Sequence, residues 1–278
     1  MYNLEGKVAL VTGAGRQQGV GRAIAMRLAQ DGANVVVNDF LVPSDNDRPS
    51  AWRGVPAVVE GIEALGREAL GVSADVSDAV QVERMVTETL ERFGRIDILV
   101  NNAASRPGQD RVPVVDLEEN AWDLVQRVNV KGTFLCSRSV ARQMVRHGNG
   151  GKILMMSSTK GKRGEACYAA YSASKFAVIG FGQSLALELA RYQIQVNIIC
   201  PGMVETERIS DMAAAMAQKG ESNEELRVQM LRKRAAEIPL GRVAQSSDVA
   251  RVAAFLASSE SDYLTGIAIN VTGGTQLG

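Results

Sequence analysis

The segment Tyr171-Ser172-Ala173-Ser174-Lys175 sets a phenol and an amine four residues apart, the spacing that puts two side chains on one face of a helix. An ammonium held beside a phenol favours the phenolate and pulls its pKa down from the ordinary value of about 10. Tyr171 is then a proton donor and acceptor usable near neutral pH. Ser158 lies thirteen residues upstream, just after the apolar run Ile153-Leu154-Met155-Met156, which reads as a buried strand. A hydroxyl at a strand end and a phenol on the next helix can converge on one substrate oxygen. Tyr-x-x-x-Lys also arises by chance on many solvated helices, so the surrounding elements have to decide.

Near the N-terminus, Lys7 to Thr12 forms a short β-branched run, followed by glycines at 13, 15, 19 and 21 and a helical pattern through Ile24, Met26 and Leu28. Strand, glycine turn and helix together make a phosphate cradle. The glycines let backbone N–H groups approach a pyrophosphate, and the helix N-terminus adds partial positive charge. The next strand, Ala33 to Asn38, ends in Asp39, 18 residues after Gly21. That is close to the ~20 expected of a carboxylate that accepts from an adenosine ribose. Such a carboxylate repels a 2′-phosphate and favours NAD over NADP.

Further strands read at 69–73, 96–100, 195–199 and 267–271, with helices at about 55–65, 77–93, 117–146, 170–190 and 247–257. A long polar loop marked by Pro43, Pro49 and Trp52 fills 40–54. Strands alternate with helices throughout, which predicts an α/β fold, a doubly wound parallel Rossmann-type sheet with ligands at the carboxyl ends of its strands. Asp39, Asp75, Asn101, Ser158 and Pro201 all stand at such ends. No composition break or repeat divides the chain, so a single domain over 1–278 is expected. The methionine-bearing stretch 203–240 reads as a substrate lid, because methionines repack around varied apolar shapes.

The 278 residues carry 31 Lys plus Arg against 31 Asp plus Glu, so no global charge attracts nucleic acid or an anionic membrane. No apolar run approaches the ~20 residues that span a bilayer. Cys136, Cys167 and Cys200 are scattered and odd in number, pointing to reduced thiols and a cytoplasmic protein. The single histidine, His147, and the absence of paired cysteines provide no zinc ligand set, and no metal is expected.

Taken in order, Thr12-Gly13…Gly19-Val20-Gly21, Asp75, Asn101-Asn102-Ala103, Asn129, Ser158, Tyr171-x-x-x-Lys175, Pro201-Gly202-x-Val204-x-Thr206 and Thr265-Gly266…Gly273-Gly274 resemble the short-chain dehydrogenase/reductase family over essentially the whole chain. The resemblance implies an NAD(P)(H)-dependent oxidoreductase of an alcohol or carbonyl. It makes Tyr171 the general acid/base and gives Ser158 the substrate oxygen. It gives Lys175 both the nicotinamide ribose and the lowering of the tyrosine pKa. Asn129 would hold a water linking Lys175 to solvent, Asp75 and Val76 would contact adenine, and Asn102 would steady the central strands. The Pro201-Gly202 turn, with Val204 and Thr206, would bind the carboxamide. A homotetramer built on helices 117–146 and 170–190 is implied as well.

Two departures stand out. The glycine turn is two residues longer than the family pattern and includes Arg16-Gln17-Gln18, leaving open whether Gly15 or Gly19 comes nearest the pyrophosphate. Gln18 occupies the place where NADP-preferring members carry a basic residue, which agrees with Asp39; Arg16 could still reach a 2′-phosphate. The asparagine pair is followed by Ala103-Ala104 instead of Ala-Gly. For the substrate, Arg106 and Arg163 border the expected pocket and are candidates to meet an anionic group. The leading reading is an NAD-dependent dehydrogenase of a sugar, polyol or other secondary alcohol. Its alternatives are an NADPH-dependent 3-oxoacyl-thioester reductase and a nucleotide-sensing scaffold without turnover.

Overall fold

The computed structural model describes residues 2–40, 52–207, 209, 213 and 222–278. In chain order the main elements are β1 (Val8–Val11), α1 (Val20–Gln30), β2 (Asn34–Asp39), α2 (Val55–Glu63), β3 (Ala69–Ser73), α3 (Ala79–Phe93), β4 (Ile98–Asn101), α4 (Glu119–Gln126), a π-helical stretch Arg127–Gly132 and α5 (Thr133–His147). They continue as β5 (Gly151–Met156), α6 (Ala169–Leu189), β6 (Ile194–Pro201), β7 (Val204–Glu205), α7 (Asn223–Glu237), β8 (Ala244–Gln245), α8 (Ser246–Ala257) and β9 (Ala268–Val271).

Seven strands form one all-parallel sheet in the order β3-β2-β1-β4-β5-β6-β9. Its register is carried by pairs such as Val8 with Asn34, Ala9 with Ile98 and Gly151 with Ile194. Strands of a parallel sheet are covered on both faces, and β1 is accordingly buried at all four positions. The twofold alternation along β1 divides the core. Ala9 and Val11 pack on one side with Ile24 and Leu28 of α1, Val58 of α2 and Ala253 of α8. Leu10 packs on the other with Met85 of α3, Val140 of α5 and Val178 of α6. Strand order reverses between β1 and β4, so the glycine turn after β1 and the asparagines after β4 flank the crevice where such sheets take their ligands.

Glycine is required at two places in that crevice. Gly13 has φ +64, and a Cβ there would lie 2.7 Å from the Ala103 Cα. At Gly21 a Cβ would come within 2.5 Å of the Gly13 carbonyl oxygen and meet the Asn102 amide as well.

The structure differs from the sequence reading in two places. The expected helix over 117–146 begins at Glu119, after a short 3-10 turn at Val114–Asp116, and widens into the π stretch at 127–132. Gly132 presses so closely on Val76 that a Cβ would sit 2.8 Å from the valine Cγ2. Within 203–240, Val204 and Glu205 instead pair in parallel with Ala244 and Gln245. Much of the expected lid, at 208, 210–212 and 214–221, lies outside the described residues, as does most of the loop at 40–54. α7 buries none of its residues.

Cys136 and Cys200 are buried and Cys167 is exposed. Burial pushes the Cys136 thiol up to about 12 and raises that of Cys200. A chromogenic disulfide reagent at neutral pH should therefore modify Cys167 alone in the native protein and all three thiols after denaturation. Gly21→Ala should cost about 1–3 kcal/mol through overpacking and lower the melting temperature by roughly 2–10 °C, read by thermal unfolding.

Candidate active site

Tyr171 and Lys175 lie in the first two turns of α6, and Lys175 is 3% exposed. A buried ammonium must be hydrogen-bonded, and Lys175 Nζ donates to the Met156 carbonyl at the end of β5 at 2.8 Å. The neighbouring Ser157 hydroxyl donates back to the Lys175 carbonyl, also at 2.8 Å. These reciprocal bonds fix the start of α6 on the end of β5. Lys175 Nζ sits 5.6 Å from the centre of the Tyr171 ring. Ser158 is buried at the head of the 3-10 turn Thr159–Gly161, where its Oγ accepts from the Lys160 N–H at 3.2 Å.

Asn129, 1% exposed, occupies the π stretch. A π turn inserts one extra residue into a helix and is frequent at functional sites. The Asn129 Oδ1 accepts from the Ser105 N–H at 2.8 Å, and its Nδ2 donates to the Ser174 Oγ at 2.9 Å. Ser174 donates in turn to the Tyr171 carbonyl at 2.7 Å. Asn129, Ser158, Tyr171 and Lys175 thus stand on three adjoining pieces of chain, the π stretch, the turn after β5 and α6, tied by side-chain hydrogen bonds.

At the glycine turn, Asn102 Nδ2 donates to the carbonyls of Thr12 and Gly13 at 2.9 and 2.8 Å. Thr12 Oγ1 accepts from the N–H groups of Asn102 and Ala103, both at 3.1 Å. The end of β4 therefore holds the glycine turn in place. Asp39 Oδ2 accepts from the Gly15 N–H at 2.7 Å, and Oδ1 accepts from the Phe40 N–H at 2.8 Å. Trp52 Nε1 donates to the Gly15 carbonyl at 2.8 Å. Gly15 is thus packed onto Asp39, whereas Gly19 caps α1 with no side-chain cap and no acidic residue in the first turn, at Val20 onward. The leading N–H groups and positive end of α1 suit an anion. The Asp75 carboxylate accepts from the Ser77 N–H and hydroxyl at 2.8 and 2.7 Å, with Val76 buried beside it.

Pro201 ends β6, Gly202 N–H donates to the Val271 carbonyl at 3.0 Å, and Val204 lies in β7. Beyond Thr206, Glu207 accepts from the Gln18 N–H at 3.2 Å and lies 3.9 Å from the Arg16 guanidinium. Ser246 donates to the Gln18 carbonyl at 2.9 Å. The two extra residues of the glycine turn are docked on the C-terminal half of the chain, with Arg16 on Glu207.

Arg106 and Arg163 are both exposed. The loop after β4 brings in a residue that the sequence reading did not single out. The Arg111 guanidinium lies 4.4 Å from the Tyr171 ring centre and 4.3 Å from that of Tyr168. Tyr168, three residues before Tyr171, was the available signal for an aromatic site on that helix face; nothing in sequence joined Arg111 to it. Lys160 lies 5.6 Å from the Tyr168 ring and is paired with Glu165. Burial lowers the Lys160 pKa, with Arg234 and Arg163 adding to the effect and Tyr171 opposing it.

A family model described as enoyl-(acyl carrier protein) reductase matches residues 13–276. The chain is 40% identical over 271 residues to a short-chain dehydrogenase/reductase of Armillaria gallica, covering 97% of this chain and 96% of the relative. The chain belongs to the short-chain dehydrogenase/reductase family. Within that family it is 39% identical over 279 residues to a sorbitol dehydrogenase of Cereibacter sphaeroides, with 99% of each chain covered. It is 40% identical over 271 residues to a 3-oxoacyl-[acyl-carrier-protein] reductase of Staphylococcus aureus, with 98% of each covered. The solved structure of levodione reductase superposes with a TM-score of 0.84 at 31% identity, covering 97% of both chains. This short-chain dehydrogenase/reductase is an oxidoreductase acting between alcohols and carbonyl compounds, with a nicotinamide dinucleotide as its cofactor class. Among the described residues no helix is long and apolar enough to cross a membrane.

Asn129→Ala should leave the buried Ser105 N–H without its acceptor and remove the Ser174 bond. A cost of about 1–3 kcal/mol is expected in urea denaturation, larger than that of Ser174→Ala.

Proposed function

We propose that the chain is an NAD(H)-dependent dehydrogenase of a secondary alcohol, such as a sugar or polyol, or reductase of the matching ketone, with Tyr171 carrying the proton. The observation behind this is the tying of the start of α6, which carries Tyr171 and buried Lys175, to the end of β5 just before Ser158 and to Asn129. Ser158 holds the substrate oxygen. Tyr171 takes the hydroxyl proton as the carbon gives up hydride, and returns it in the reverse direction. Lys175 supports the phenolate and binds the nicotinamide ribose, and Asn129 holds a water on the proton's way to solvent. When bound, the nicotinamide accepts or supplies the hydride.

The uncapped start of α1, at Gly19 and Val20, receives the pyrophosphate, with Gly13 and Gly15 shaping the turn. Asp39 accepts from the adenosine ribose and sets the preference for NAD, while Asp75 and Val76 border adenine. Pro201, Gly202, Val204 and Thr206 hold the carboxamide side, with 203–240 as the lid. The pairing of Arg16 with Glu207 supports NAD over NADP, since a 2′-phosphate would have to draw that cation away. Arg106 and Arg163 remain the residues proposed to meet an anionic substrate group. A homotetramer is supported by the exposed Phe134 on α5 and Phe176 and Leu187 on α6. The second reading, an NADPH-dependent 3-oxoacyl-thioester reductase, is favoured by the similarity to the S. aureus reductase and opposed by Asp39.

A panel of sugars, polyols, other secondary alcohols and 3-oxoacyl thioesters, run with NAD(H) and NADP(H) in parallel, tests the proposal. Turnover of a secondary alcohol with NAD is expected, and efficient thioester reduction with NADPH alone would overturn it. Tyr171→Phe should lower kcat by about 10²–10⁴-fold with cofactor affinity retained. Asp39→Ala should narrow the preference for NAD, measured as the ratio of kcat/KM for the two cofactors.

A further inference from the structure

The face of the Tyr171 ring is engaged by a cation from outside the Ser–Tyr–Lys cluster. Arg111 reaches it from the loop between β4 and the 3-10 turn at Val114–Asp116, with its guanidinium carbon near the Tyr168 and Tyr171 ring centres alike. The two rings are 6.4 Å apart and meet edge to face at 71°. Arg111 is held from the loop side as well. Its Nη1 lies 3.0 Å from the Asp110 carboxylate, and its backbone N–H donates to the Gly108 carbonyl at 3.1 Å. Asp110, 4% exposed, also accepts from the Gly108 N–H at 3.1 Å.

A guanidinium over a neutral phenol meets the negative face of a quadrupole; over a phenolate it meets a full negative charge. The interaction therefore strengthens on deprotonation, which lowers a pKa. We propose that Arg111 is a positioning residue for Tyr171: a second cation, beside Lys175, that holds the phenol acidic and fixes its ring. This rests on Tyr171 being the proton-transfer group.

The other charges around Tyr171 can be named element by element. α6 contributes Lys175, with the titratable Tyr168 just ahead of it. The turn after β5 contributes Lys160, paired with Glu165, and Arg163 and Arg234 act on Lys160. The α4–π segment turns neutral Gln126 and Asn129 toward α6, through bonds to the Ala170 carbonyl and Ser174, while its Asp123, Arg127 and Lys131 are exposed. Asp110 is the counter-charge on Arg111 and offsets part of its field at the phenol.

The proposal predicts shifts of opposite sign for the two partners. Tyrosinate formation is followed by ultraviolet difference titration, each protein against its own Tyr171→Phe counterpart, so the readout does not require turnover. Arg111→Gln should raise the Tyr171 midpoint by about half to one pH unit. Arg111→Lys should recover most of that shift, and Asp110→Asn should move the midpoint down. In wild type and Arg111→Gln, the pH at which alcohol oxidation reaches half its plateau should follow the titration. An unshifted midpoint in Arg111→Gln, or an equal displacement in Arg111→Lys, would overturn the role of the charge, and these two variants decide it even if Asp110→Asn fails to fold. A shifted midpoint in a protein that oxidises no alcohol would instead count against the proposed function and leave the Arg111 effect standing.

Discussion

One buried cation sets the terms for the rest of the site. Lys175 lies inside the protein, and a charge there is tolerable only with strong hydrogen-bond acceptors around it. The Met156 carbonyl serves because β5 ends at that residue, freeing the backbone to turn toward α6. The return bond from Ser157 to the Lys175 carbonyl makes the arrangement mutual. Strand end and helix start then form one rigid corner, and Ser158 and Tyr171 are carried on its two arms. The geometry of the proposed proton transfer follows from satisfying the lysine, because the same bonds that make its burial possible determine where the serine and the phenol stand.

The opposite wall depends on an irregular helix. An unbroken α-helix from Glu119 to His147 would carry Asn129 in a regular register; the π stretch changes that register where Asn129 meets Ser105 and Ser174. Gly132, pressed on Val76, lets the widened turn lie against the end of β3's connection to α3. The asparagine therefore joins three separate segments, namely the loop after β4, its own helix and the first turns of α6. Widening a helix weakens its ladder of hydrogen bonds, and the side-chain bonds made by Asn129 and Thr133 offset part of that loss.

Much of this is legible in the sequence. β1, β2 and β6 are runs of β-branched residues ended by glycine, aspartate or proline, so their positions and the parallel sheet follow from pattern alone. Tyr171 and Lys175 share a helix face by spacing, and Ser158 follows an apolar strand. The π stretch was not legible, because Arg127 to Gly132 has the composition of any amphipathic helix and no local pattern marks the close approach of Gly132 to Val76. Arg111 was hidden for a different reason. Its partners Tyr168 and Tyr171 are more than fifty residues away, and no local period connects a loop arginine to a helix face. The docking of Arg16 on Glu207 and of Gln18 on Ser246 was equally out of reach of local pattern.

Those last contacts bear on how the protein is made. The first four strands of the sheet in sequence, β1 to β4, can pair among themselves as the chain emerges. The extended glycine turn rests on groups that arrive nearly two hundred and more than two hundred residues later, so its final shape awaits closure of some of the longest loops in the molecule. A ribosome-bound N-terminal half would hold these four strands yet lack the contacts that finish its own glycine turn. On the proposed function, a tight grip on the dinucleotide would then wait until the C-terminal half has folded back over that turn.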